Sequence, residues 1–135
     1  MTAFENVLVV DDDEMNLIQA KLLLEKHLNC NVILTSSVID GMEILRQQKI
    51  DLVIASTDMS FVNCFRMIEL MKDNTNLQEI PIFLMTSSEY DAAMLEIEQS
   101  GANGGIKKPL VTEESIEDII KFLETQHLIP ELERA

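Results

Sequence analysis

Asp51-Leu52-Val53-Ile54-Ala55-Ser56-Thr57-Asp58 lies near the middle of a chain of 135 residues. Leu52 to Ala55 form an unbroken apolar run, the pattern of a strand buried on both faces, and Ser56-Thr57-Asp58 is a small polar tip at its end. Such a strand belongs inside a parallel sheet, with helices covering both sides.

The flanking sequence supplies those helices. Val7 to Val10 is a second apolar run, stopped by Asp11-Asp12-Asp13-Glu14. Met15, Ile18 and Leu22 then recur at helical spacing, with Leu17, Leu24 and Leu28 alongside, and predict a helix from about Met15 to Leu28. Acids at its N-terminus suit the helix dipole, yet four in a row exceed what capping requires. Asn31 to Thr35 reads as another strand, and Ser37-x-x-Asp40 as a capping box opening a helix to about Gln48. Beyond the central strand, Val62, Phe65, Ile68 and Met71 mark a third helix ending near Asn74. Ile80 to Met85 is the fourth strand, with Pro81 tolerable only at its start. Ser88-x-x-Asp91 resembles a second capping box, followed by Ala92, Met94 and Leu95 on an inner face. Gly101 to Gly105 reads as loop, Ile106 as the centre of a short fifth strand leading to Lys107-Lys108-Pro109, and Ile116, Ile119, Ile120 and Leu123 as a last amphipathic helix. The tail from His127, containing Pro130, reads as frayed or extended.

Five strands thus alternate with five helices, and no two strands are close enough for a tight hairpin. Right-handed parallel crossovers remain, which makes the expected fold class α/β: a three-layer sandwich with a five-stranded parallel sheet between helices. One domain over 1–135, with its core at about 5–125, accounts for the chain.

Composition narrows the function. A formal charge of −14 offers no basic stripe for a nucleic-acid backbone. No apolar run approaches the ~20 residues that span a bilayer, and Met1-Thr2-Ala3-Phe4-Glu5 is unlike a signal peptide. A cytoplasmic protein without membrane or nucleic-acid partners is the expectation. Cys30 and Cys64 lack zinc-site spacing and read as free thiols in a reducing compartment, His27 and His127 as surface or boundary residues, and the eight methionines as core filling.

In open parallel sheets, ligands bind beyond the carboxyl ends of the strands. Those ends carry Asp11, Asp12 and Asp13, then Ser56, Thr57 and Asp58, then Thr86 and Ser87, then Lys107 and Lys108. Crowded carboxylates need a cation, and Mg²⁺ with one or two carboxylates and its own waters fits that demand. A hydroxyl and a lysine opposite it would suit the oxygens of a phosphoryl group.

With these motifs in this order, the chain resembles the receiver domain of two-component response regulators over about residues 5 to 125. The resemblance rests on Val7 to Glu14, the tip after the third strand, Pro81 to Ser87, and Gly101-Ala102 through Lys108-Pro109. It implies a flavodoxin-like sheet of order 2-1-3-4-5, a chemotaxis receiver being the general example of that order. It also implies Mg²⁺ at Asp11 and Asp12, a phosphoryl contact from Thr86 and a pairing lysine at Lys108. The partners it implies are a histidine kinase, a phosphotransfer protein or a downstream signalling protein. The commonly used partner face, on helix four, strand five and helix five, would draw on Tyr90, Met94, Lys107 and the last helix.

The position matching the phosphate-accepting aspartate, however, is Ser56. Ser60 and Cys64 stand where the family often has proline and glycine, and Gly105 stands at the aromatic switch position. Taken together, these departures are those of a naturally divergent receiver. A serine hydroxyl is a weak nucleophile without a general base. The favoured expectation is a non-enzymatic pseudo-receiver that binds partners independently of phosphorylation, with Mg²⁺ binding weakened by the missing carboxylate and partly restored by Asp58. The rival is a working acceptor at Asp58, about 6–7 Å further along the strand direction. Less favoured is a Mg²⁺-dependent phosphatase of the haloacid dehalogenase type, suggested by Asp11-x-Asp13 but without the Gly-Thr that should follow. A flavodoxin is disfavoured because four carboxylates would repel the phosphate of FMN.

Overall fold

β1 (Asn6–Val10), β2 (Asn31–Thr35), β3 (Leu52–Ser56), β4 (Ile82–Thr86) and β5 (Gly104–Lys107) form one parallel sheet in the order β2-β1-β3-β4-β5. They belong to a computed structural model that describes residues 4–59, 62–87 and 90–131, with the side chains of 90–92 outside that description. Between the strands run α1 (Glu14–Leu28), α2 (Val38–Gln47), α3 (Cys64–Lys72) and α4 (Tyr90–Gln99), and α5 (Glu117–Thr125) follows a 3₁₀ turn at Glu113–Ile116. The three-layer α/β sandwich read from the apolar runs is the observed fold.

β3 sits at the centre, its Val53 opposite Leu8 of β1 and Ile82 of β4, and all five of its residues are buried. Alternation along the strands divides the interior into two cores. Val7, Val9, Leu52, Ile54, Phe83 and Met85 face α1 and α5, whereas Leu8, Val10, Val53, Ala55, Ile82 and Leu84 face α2, α3 and α4. The periodic set Ile116, Ile119, Ile120 and Leu123 is fully buried, as its spacing predicts. Ser37 caps α2 by accepting the Asp40 N–H at 3.1 Å, and Asn63 caps α3 by accepting from Phe65 and Arg66. Ser88, the other expected cap, lies outside the described residues.

Several expectations need correction. In α1 the buried side is Leu17, Ala20, Leu23, Leu24 and Leu28, while Met15, Ile18 and Leu22 are 60%, 43% and 64% exposed. The helix is apolar on two adjoining stripes, so spacing selects neither; docking onto β1 and β2 does. In α4, Met94 packs against the core as expected and Ile97 is buried beside it, but Leu95 is exposed; the Ala92 side chain lies outside the described residues. β5 begins at Gly104, within the stretch read as loop. Glycine there serves close packing: a Cβ on Gly104 would stand 2.7 Å from the Phe83 ring, and one on Gly105 would stand 2.9 Å from Ile97 Cδ1. The start of the tail is also ordered onto the core, since the Leu128 N–H returns to the Leu123 carbonyl at 2.9 Å and Ile129 packs against the α1–α5 side.

Candidate functional site

The carboxyl ends of β1, β3, β4 and β5 bring Asp11, Ser56, Thr86 and Lys108 to one end of the sheet, where a cleft of about 380 Å³ has Asp12, Asn16, Asp58, Ser87 and Lys108 in its walls. Asp11 follows β1 directly and is 1% exposed. One carboxylate oxygen accepts the Asp13 N–H at 3.0 Å; the other accepts the Asn16 amide at 3.0 Å and the Lys108 ammonium at 3.1 Å. Asp13 is the N-cap of α1, accepting from the Met15 and Asn16 amides, so one acid of the run has a helix-forming role. Asp12 is exposed and lines the cleft.

Ser56, the last residue of β3, has no solvent exposure. Its Oγ accepts the Lys108 ammonium at 2.7 Å and the Asp58 N–H at 3.0 Å. Lys108 also reaches Asp58 at 3.1 Å, so its three N–H bonds are directed to Ser56, Asp11 and Asp58. Its side chain is 6% exposed, and removing either acid would unbalance a charge that water scarcely reaches. The Lys108 N–H donates to the Thr86 carbonyl at 2.9 Å, which ties β5 to β4 at the site, and the Lys108–Pro109 peptide bond is cis.

Asp58 stands beyond the strand, and its Oδ2 also accepts the Ser87 hydroxyl at 2.7 Å and the Ser87 N–H at 3.2 Å. Partial burial works against its ionisation, but the hydrogen bonds from Ser87 and Lys108 outweigh it and hold the carboxyl below its ordinary value. Thr86 is fully buried at the end of β4. Gly105 faces Ile97 and Met94 of α4, whose atoms fill the space a side chain there would take.

A model of the response regulator receiver domain matches residues 7–121. The chain belongs to that family. This receiver is 25% identical over 119 residues to the polar-differentiation response regulator DivK of Brucella ovis, covering 88% of this chain and 96% of the relative, and 24% identical over the same length to DivK of Brucella anthropi. Among solved structures, the chemotaxis response regulator CheY4 of Vibrio cholerae superposes with a TM-score of 0.77 at 17% identity, covering 94% of this chain and all of that one. A putative response regulator from Chloroflexus aurantiacus gives 0.79 at 18% identity, covering 88% and 97%. The fold is therefore the flavodoxin-like receiver fold, and the chain is a receiver domain of two-component signalling, a class that works through protein partners. None of its described helices is long and apolar enough to cross a membrane.

The structure brings Asp11, Ser56, Asp58 and Lys108 into direct contact, leaves Asp12 at the rim, and buries Gly105 away from the cleft under α4. Asp11, Asp12 and Asp58 are the residues that would hold the Mg²⁺ the family implies, and the site gives it fewer anionic oxygens than one with an aspartate at position 56. Asp11 is already neutralised by Lys108, Ser56 offers a neutral oxygen, and Asp58 is turned to Lys108 and Ser87. Among the described residues, no three acids, histidines or cysteines are grouped as metal ligands. Sequence reading missed Asn16, which holds the Asp11 carboxylate, and the two bonds of Ser87 to Asp58. Asn16 had a signal: it lies three residues after a helix cap, on the turn that faces back to Asp11. Ser60 lies outside the described residues; Cys64 opens α3 and is buried.

Proposed function

We propose that this receiver is a non-enzymatic signalling module that engages its protein partner without being phosphorylated. The observation that supports it is the state of Ser56, whose hydroxyl is buried and already accepts two hydrogen bonds, one from an ammonium group. A nucleophile needs an available lone pair and a base, and a neighbouring cation withdraws electron density from the oxygen instead. Gly105 supports the same reading, because a receiver without a side chain at that position has no rotating group to relay a change at the site. Histidine kinases, phosphotransfer proteins and downstream signalling proteins are the partner classes, met in the cytoplasm. Association of Mg²⁺ with Asp11 and Asp12 is weak on this reading, since Lys108 supplies the neutralising charge.

The test is incubation with a small-molecule acyl phosphate donor and Mg²⁺, followed by intact mass measurement. An unmodified chain is the expected result, and a stable phosphoryl adduct would overturn the proposal. The rival acceptor, Asp58, has two favourable features: its carboxyl is held below the ordinary value and its side chain is 35% exposed. An adduct that disappears in Asp58→Asn would assign it. The phosphatase reading requires Asp11 as nucleophile, and that carboxylate is buried and held by three donors.

A further inference from the structure

Three donors from two strand ends converge on a single oxygen, Asp58 Oδ2: the Ser87 hydroxyl at 2.7 Å, the Lys108 ammonium at 3.1 Å and the Ser87 N–H at 3.2 Å. A backbone N–H, a hydroxyl and an ammonium around one point are the donor set that holds an oxyanion. In this chain the anion is covalently its own. We infer that Asp58 is a tethered ligand that fills this oxyanion seat, shutting out free tetrahedral oxyanions of the phosphate class and holding the ends of β3, β4 and β5 in one arrangement. The inference rests on the phosphorylation-independent reading and gives it a physical cause.

The tether favours the internal carboxylate. Asp58 lies two residues past the end of β3, and its N–H is anchored on Ser56 Oγ at 3.0 Å, so its backbone is held in place before the carboxylate binds. A free oxyanion must surrender translational and rotational freedom to occupy the same point. Ser56 makes the contact possible from below: a short, neutral side chain lets Lys108 bond its hydroxyl and still reach Asp58. With its side chain 35% exposed, Asp58 lies at the mouth of the cleft, where a competitor from solvent would enter once the carboxylate is removed.

The test uses inorganic phosphate as probe, titrated at constant ionic strength into the ¹⁵N-labelled full chain while the Ser87 amide resonance is followed. Asp58→Ala should bind phosphate saturably and about tenfold or more tighter than wild type, because a charge-assisted competitor has been removed. Asp58→Asn, which keeps the shape and loses the charge, should show a smaller gain. Adding Lys108→Gln together with Asp11→Asn to Asp58→Ala, which removes the cation without stranding the buried acid, should abolish the gain in the folded protein. Wild-type-like phosphate response in folded Asp58→Ala and Asp58→Asn would overturn the inference; if Asp58→Ala does not fold, Asp58→Asn decides by the same criterion. Labelling of the wild-type chain by an acyl phosphate is read separately by mass. That result would defeat the phosphorylation-independent reading, while the titration still decides what Asp58 does.

Discussion

The Lys108 ammonium donates to the Ser56 hydroxyl at 2.7 Å, inside the protein and across the gap between β3 and β5. The same ammonium holds Asp11 and Asp58, so one side chain links the ends of three loops. The consequences of that linkage can be measured.

Lys108→Met should be strongly destabilising. It leaves Asp11, 1% exposed, without its cation, and breaking a buried pair in this way costs about 3–5 kcal/mol. Urea unfolding checks the value, and Asp11→Asn in the Lys108→Met background should recover part of it because the stranded charge is gone.

Ser56→Asp should raise Mg²⁺ affinity by about tenfold through an added anionic ligand. Isothermal titration of both proteins measures this. Equal affinities would count against the missing carboxylate as the cause of weak Mg²⁺ binding.

Asp58 is held below the ordinary carboxylate value, so its ion pair stabilises the fold above about pH 3.9, the unfolded value, and the contribution is lost as pH falls through the lower, folded value. The stability difference between wild type and Asp58→Asn should therefore be constant near neutrality and shrink in acid. Unfolding curves collected from pH 7 to 3 show whether it does.

Gly104→Ala should destabilise more than Gly105→Ala. The new Cβ at 104 meets the Phe83 ring, which is buried and packed edge-to-face on Phe122 at 5.4 Å. Overpacking of that kind costs about 1–3 kcal/mol. At 105 the nearest atom is the end of the Ile97 side chain, which can turn aside; an aromatic at 105 should cost more, with Ile97→Ala as the rescuing change.

Both thiols should resist alkylation in the folded protein. Burial, with Glu25 adding to it, pushes Cys30 up to about 11, and burial pushes Cys64 up to about 12, leaving little thiolate at neutral pH. Reaction with a thiol reagent, followed by mass, should become fast only in denaturant.

The α/β class, the parallel sheet and the position of the site were legible in the chain, because apolar runs such as Leu52 to Ala55 report burial on both faces and the polar residues that stop them must lie at the strand ends. Ser56 in place of an acid was equally plain, being a matter of identity and position. Which stripe of α1 faces inward was not legible, since Met15, Ile18 and Leu22 repeat as regularly as the residues that are buried. The strand at Gly104 and Gly105 was hidden for a related reason: glycine signals a loop locally, while its use here is to let Phe83 and Ile97 approach a backbone that lies close to neither in sequence.

The sharing of Lys108 among Asp11, Ser56 and Asp58 was least accessible of all. Asp11 follows β1 while Ser56 and Asp58 stand at the end of β3, and all three are separated from Lys108 by 50 or more positions. No local propensity records how three loops choose among one cation's hydrogen bonds. Folding settles that choice, because a charge carried into a dry site must find partners there.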